Sequence, residues 1–109
     1  MKRVLFVCSR NRLRSPTAEQ VFAAWPGVET ASAGTDHDAE VALTPELVRW
    51  AELIFVMEPT HRDKLRRRFR EALRGPRIVC LNIPDEFAFQ QPELVALLKR
   101  KVPPHLMAR

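Results

Sequence analysis

Apolar residues in this chain fall into short unbroken runs separated by stretches with helical spacing. Val4-Leu5-Phe6-Val7 has no polar interruption, and neither have Leu53-Ile54-Phe55-Val56-Met57 and Ile78-Val79-Cys80-Leu81. A strand with one wet face alternates apolar and polar side chains, whereas a strand covered on both faces stays apolar throughout. The runs therefore predict buried strands at about residues 3–7, 53–57 and 77–82, and a further strand is expected at 28–33. Between them the spacing becomes helical. Ala18, Val21, Phe22 and Trp25 share the inner face of a helix expected from Ser15 to about Ala24, with Ser15 as its N-cap, Pro16 at its first position and Pro26-Gly27 as its stop. A short helix is expected after a Thr44 cap with Pro45 behind it. Another opens at Pro59 or Thr60 and runs to Gly75-Pro76, and a last one runs from Pro92 to about Val102, closed by Pro103-Pro104.

Strands that alternate with helices pair in parallel through right-handed crossovers. The expected fold is α/β: a three-layer sandwich with a four-stranded parallel sheet flanked by helices on both faces. At 109 residues and 46% hydrophobic content the chain suits one domain spanning 1–109, with no linker. In such sheets sites form beyond the carboxyl ends of the strands. That rule gathers the segments 8–15, 34–43, 58–61 and 83–91 on one rim. A dinucleotide site is excluded, because three isolated glycines cannot build its glycine-rich turn.

Charge changes the picture little. The net charge of +5 is concentrated in residues 62–77, where Lys64, Arg66, Arg67, Arg68, Arg70 and Arg74 crowd together. Leu65, Phe69, Ala72 and Leu73 recur at helical spacing through the same segment, so the arginines read as the wet side of a helix, and nucleic acid is not an expected partner. The start, Met1-Lys2-Arg3, leads straight into a short strand, which predicts neither a leader nor a membrane span, and hence a cytoplasmic chain. A monomer or weak dimer is expected. Both cysteines, Cys8 and Cys80, are expected as thiols, with Cys80 in the core.

The chemistry is concentrated in Cys8-Ser9-Arg10-Asn11-Arg12-Leu13-Arg14-Ser15, between the first strand and the first helix. A tight loop of this length sets a thiol at one end and a guanidinium at the other, both facing an anion held between them. Loop and helix N–H groups converge on the same point. A free thiol with a pKa of about 8.5 is mostly protonated at neutral pH; a helix N-terminus and neighbouring arginines favour the nucleophilic thiolate. Arg14 supplies a planar fork that matches two phosphoryl oxygens, which lysine does not. Asn11 tolerates a left-handed backbone in a loop without glycine.

Cys8 to Glu19 resembles the signature of the low-molecular-weight protein tyrosine phosphatase family, Cys-x-x-Asn-x-x-Arg-Ser-Pro and a short helix. Ser32-Ala33-Gly34 resembles that family's second-strand end, and Met57-Glu58 its Met-Asp after the third strand. The resemblance implies that Cys8 attacks phosphorus, Arg14 grips the phosphoryl oxygens, Asn11 braces the loop and Ser15 stabilises the thiolate. Ser9, Arg10, Arg12 and Leu13 would complete the substrate-binding loop, with neither metal nor organic cofactor. The departures are a shortened region from Gly34 to Leu53, Arg10 in place of a glycine, Leu13 in place of a second loop cysteine, and the absence of tyrosine. They suggest a compact member.

Phosphoryl transfer also needs an acid for the departing oxygen and then a base for water. Asp85, in Ile83-Pro84-Asp85-Glu86-Phe87, resembles the family's late Asp-Pro-aromatic loop, with Glu86 where proline is usual and therefore a rival acid. Phe87 is expected as an apolar wall for a substrate ring. His37 and His61 fall in rim loops and His105 in the tail, with no zinc-like spacing among them. The expected activity is a phosphomonoesterase acting on a phosphorylated protein, most simply at phosphotyrosine, or on a small aryl phosphate, through a cysteinyl phosphate, with inorganic phosphate as product. Two alternatives remain: a binding module for phosphoprotein or RNA ends without turnover, and an arsenate reductase, whose thiol relay would need cysteines beyond Cys80.

Overall fold

The computed structural model describes residues 1–107; the last two positions of the expected 1–109 domain, Ala108 and Arg109, lie outside the described residues. Strands β1 (Lys2–Cys8), β2 (Val28–Gly34), β3 (Leu53–Val56) and β4 (Arg77–Cys80) form one parallel sheet in the order β2-β1-β3-β4. Between and after them come helices α1 (Arg14–Ala23), α2 (Pro45–Trp50), α3 (Pro59–Arg68), α4 (Pro92–Lys101) and α5 (Pro103–Leu106), with a 3-10 turn at Ala72–Arg74.

The unbroken apolar runs are explained by the two cores they feed. Val4, Phe6, Leu53 and Phe55 pack with Phe22 of α1 and Leu94 and Leu98 of α4 on one face. Leu5, Val7, Ile54 and Val56 pack with Val48 of α2 and with Leu65, Phe69 and Ala72 on the other. Successive side chains of one strand thus enter opposite cores. The first core is tied by stacked rings, with Phe6 centred 5.4 Å from Phe55 and 5.9 Å from Phe22.

Three boundaries and one burial differ from the sequence expectation. Helix α1 begins at Arg14 with Leu13 as its cap residue, so Ser15 is inside the first turn and its hydroxyl is turned to another use. Helix α3 stops at Arg68, because Phe69 leaves helical geometry to enter the second core; the segment resumes only as the 3-10 turn. Pro103-Pro104 opens α5, where the first turn needs no proline N–H. Cys80 is half-buried and not in the core proper, since β4 is an edge strand with one neighbour. Among the described residues no helix is long and apolar enough to cross a membrane.

Candidate active site

Strand β1 ends at Cys8 and α1 begins at Arg14, so residues 9–13 must reverse the chain within one tight loop at the carboxyl end of the sheet. Asn11 makes the turn with φ of 58°, a left-handed conformation that asparagine tolerates. Its side-chain amide spends both hydrogens on the fold, donating to Ser15 Oγ at 3.0 Å and to Ser32 Oγ at 2.9 Å. Because Ser15 Oγ accepts there, its own hydrogen is available to Cys8 Sγ, 2.9 Å away. Ser32 in turn donates to Glu19 Oε1. A polarised chain therefore runs from the Glu19 carboxylate through two hydroxyls and an amide to the thiol, and Asn11 and Ser15 are buried within it.

The segment after β2 is fastened to this loop by backbone. Thr35 N–H donates to Cys8 O, Asp36 N–H to Ser9 O and Glu40 N–H to Arg10 O, at 2.9, 2.9 and 3.0 Å. Gly34 permits the approach: a Cβ there would lie 2.5 Å from Ser9 O and 2.6 Å from Ala39 Cβ. Exposed ion pairs repeat the link, Arg10 to Asp36 at 3.8 Å and Arg12 to Glu40 at 3.5 Å.

Arg14 is 3% exposed, and its orientation is set from outside the loop. Nη1 donates to Glu58 Oε2 at 2.6 Å and to the Ile83 carbonyl at 2.7 Å, which leaves Nη2 and Nε for the cavity. Glu58 follows β3 and caps α3; its N–H donates to His61 Nδ1 at 3.1 Å. That bond fixes the imidazole tautomer, since Nδ1 must be the unprotonated nitrogen. Nε2 therefore carries the hydrogen and donates to Ser9 Oγ, 2.9 Å away, leaving the Ser9 hydroxyl hydrogen free to point elsewhere. His61 is held neutral: burial lowers its pKa to about 4, with the Arg14 charge acting in the same direction and Glu58 opposing.

These groups surround a cavity of about 510 Å³. Cys8, Ser9, Arg10, Arg12, Leu13 and Arg14 line one side of it, and Asp36 and Asp85 also reach it. Asp85 is 67% exposed, with Oδ1 3.8 Å from Arg14 Nε. Two expected residues, Asn11 and Ser15, stand behind the lining as its support. Phe87 does not line the cavity; it packs against the first core, and the expected aromatic wall is absent from the lining. His37 is exposed on the rim, whereas His61, expected in a rim loop, is 1% exposed on α3. Sequence reasoning missed the parts played by Asp36, Glu58 and His61. The Met57-Glu58 step at the end of a buried strand was the available signal for Glu58, because a carboxylate in that position faces the same rim as Cys8. No group of three or more His, Cys, Asp or Glu side chains among the described residues is placed to hold a metal ion.

No protein-family model matches the sequence and no curated protein matches it significantly. Solved structures do. The YwlE arginine phosphatase from Geobacillus stearothermophilus is 26% identical, with 92% of this chain and 90% of that chain aligned at a TM-score of 0.74. The tyrosine phosphatase Wzb from Escherichia coli K30, in complex with phosphate, is 22% identical over 92% of each chain, with a TM-score of 0.74. The low molecular weight protein tyrosine phosphatase from T. tengcongensis is 22% identical over 92% of this chain and 97% of that one, with a TM-score of 0.72. The chain shares the fold of these phosphatases over about nine-tenths of its length, and the loop that closes on Cys8 lies at the carboxyl end of that fold's sheet.

Proposed function

We propose that the chain hydrolyses phosphomonoesters through a cysteinyl phosphate, with phosphotyrosine or a similar aryl phosphate as substrate. The observation that carries this reading is the meeting of the Cys8 thiol, the free donors of the Arg14 fork and the Asp85 carboxyl around one cavity. The Cys8 thiolate attacks phosphorus, so an S–P bond forms as the P–O bond to the leaving group breaks. Asp85 gives its proton to the departing oxygen. Arg14, the loop N–H groups and the Ser9 hydroxyl hold the equatorial oxygens, where charge is stabilised in place. Asp85, now a carboxylate, takes a proton from water as it attacks the cysteinyl phosphate, returning the thiolate and releasing inorganic phosphate. The Ser15 hydroxyl donates to sulfur in its anionic form at each end of the cycle.

A second reading is favoured by one observation. No aromatic side chain lines the cavity, while two carboxylates, Asp36 and Asp85, do. That lining suits a guanidinium leaving group as well as a ring, so phosphoarginine is the competing substrate. The test is rapid-mixing hydrolysis of p-nitrophenyl phosphate, phosphotyrosine and phosphoarginine. A burst of leaving group equal to the enzyme present, absent from the Cys8→Ser protein, is expected. Phosphate binding without any burst or turnover would leave a binding module instead.

A further inference from the structure

Beside the cavity at Cys8 lies a second hollow of about 580 Å³, and Asp36 lines both. Thr35 lies on one side of it, and Lys64, Arg67 and Arg68 of α3 form the other. We propose that this hollow is a subsite for an acidic side chain of a phosphopeptide, a few residues from the phosphorylated one; the proposal rests on the phosphatase reading for the placement of the phosphoryl group alone.

Several features of the hollow point to an anion. Asp36 is already engaged, 3.8 Å from Arg10 and 3.9 Å from Lys64, so its charge is answered by two cations. Arg68 is fixed in place, donating from Nη1 to the Thr35 carbonyl and lying 5.1 Å from the centre of the Phe69 ring. Arg67 has no ion pair among the described residues. Thr35 is 3% exposed, lines the hollow, and its Oγ1 has no hydrogen-bond partner among the described residues. A buried hydroxyl in that condition is costly, and it belongs to a residue that lines the hollow. His37 and Asp38 complete the lining from the exposed tip of the loop. The Asp38 charge opposes an anion near that tip and directs it toward α3, where Arg67 and Arg68 carry charge that no carboxylate of the lining answers.

A peptide fits better than a nucleic acid. The hollow is one pocket joined to the phosphate cavity by the shared Asp36, not a track of repeated phosphate contacts, and no phenylalanine or tryptophan lines it for a base to stack on. An extended peptide advances about 3.3 Å per residue, so neighbouring side chains reach adjoining pockets.

The experiment compares phosphotyrosyl peptides that carry glutamate or glutamine beside the phosphotyrosine, with p-nitrophenyl phosphate as a substrate lacking any flank. The intact protein is expected to favour the glutamate peptides by about tenfold in kcat/KM, less at high salt. The Lys64→Ala, Arg67→Ala double variant is expected to lose that preference while p-nitrophenyl phosphate hydrolysis stays within about twofold. Fluorescence polarisation of the same peptides on the Cys8→Ser protein reads the subsite without turnover. If nothing is hydrolysed but glutamate peptides still bind more tightly through Lys64 and Arg67, the subsite stands and the catalytic reading falls. Equal handling of glutamate and glutamine peptides in both assays overturns the subsite. So does displacement of the acidic peptide by a single-stranded RNA oligomer that binds more tightly at physiological salt.

Discussion

Two walls of one cavity are built in opposite ways. The wall from Cys8 to Ser15 is a lattice of polar groups whose supporting bonds are made within the fold: Asn11 to two hydroxyls, Ser15 to sulfur, His61 to Ser9, Arg14 to Glu58 and Ile83. Asp85, by contrast, is two-thirds exposed and, among the described residues, is held only by an ion pair to Arg14 Nε at 3.8 Å. Its loop is tied at its ends, by Arg14 on the Ile83 carbonyl and by Gln90 N–H on Thr17 Oγ1. The difference follows from the work proposed for each. Charge develops on the phosphoryl oxygens in every turnover, so donors fixed in advance avoid reorganisation. A proton donor must meet leaving groups of different shape and then admit water.

The largest effects should come from breaking the first wall at its two ends. Cys8→Ser is expected to lower hydrolysis of p-nitrophenyl phosphate by on the order of 10⁴ or more, while calorimetry still detects phosphate binding. Arg14→Lys should be nearly as damaging, because an ammonium cannot bridge two oxygens and also hold Glu58 and Ile83. Near-normal turnover by either protein would remove the proposed chemistry.

The facing wall predicts a smaller and selective loss. Asp85→Asn should slow phosphotyrosine hydrolysis by about a hundredfold and p-nitrophenyl phosphate far less, since a nitrophenolate departs without a donated proton. Glu86→Gln should matter less on both substrates. If the two substitutions exchange effects, Glu86 is the proton donor.

The contrast between the walls also governs what the sequence disclosed. Strand β1, the left-handed Asn11 and the thiol-to-guanidinium spacing were legible because each is a local property: unbroken apolarity, a permissive residue, a fixed chain length. Ser15 read locally as a helix cap, and only the resemblance to the family signature implied the bond to sulfur that its hydroxyl makes beside the one it accepts from Asn11. Glu58 and His61 reach the loop from another strand and helix, so only the sheet order brings them to Cys8 and Arg14. Phe87 shows the reverse case. Its place beside Asp85 suggested a wall, and the first core took the ring because burial against apolar neighbours stabilises it more than solvent contact at a rim.

Gly34→Ala tests whether the first wall depends on the backbone fastening behind it. The added methyl would meet Ser9 O at 2.5 Å, and a carbonyl that belongs to the loop cannot step aside without loosening the loop. A loss of about 1–3 kcal/mol in stability is expected in denaturant titration, with phosphate affinity falling in parallel. Unchanged stability and affinity would mean that the bonds from residues 35–40 contribute little to the shape of the loop.

The smallest effect expected is a pH dependence carried by His61. In the folded chain its pKa is lowered to about 4, first by burial and then by Arg14, while an unfolded histidine titrates near its ordinary 6.5. Between those values the unfolded chain takes up a proton that the folded chain refuses, so stability rises with pH across the window. The contribution is fully present above about 6.5 and is lost progressively as pH falls toward about 4, amounting to about 1–2 kcal/mol between pH 7 and pH 5. His61→Gln should flatten that part of the stability curve, since an amide does not titrate. It should also slow turnover a few-fold, because glutamine cannot both accept from the Glu58 N–H and hold Ser9 with the geometry of the ring. Urea melts at several pH values, run on both proteins, check the first statement, and kcat on p-nitrophenyl phosphate checks the second. If the two proteins show the same slope, another group carries the acid sensitivity; if the slope flattens but kcat is unchanged, His61 stabilises the fold without positioning Ser9 for the phosphoryl group.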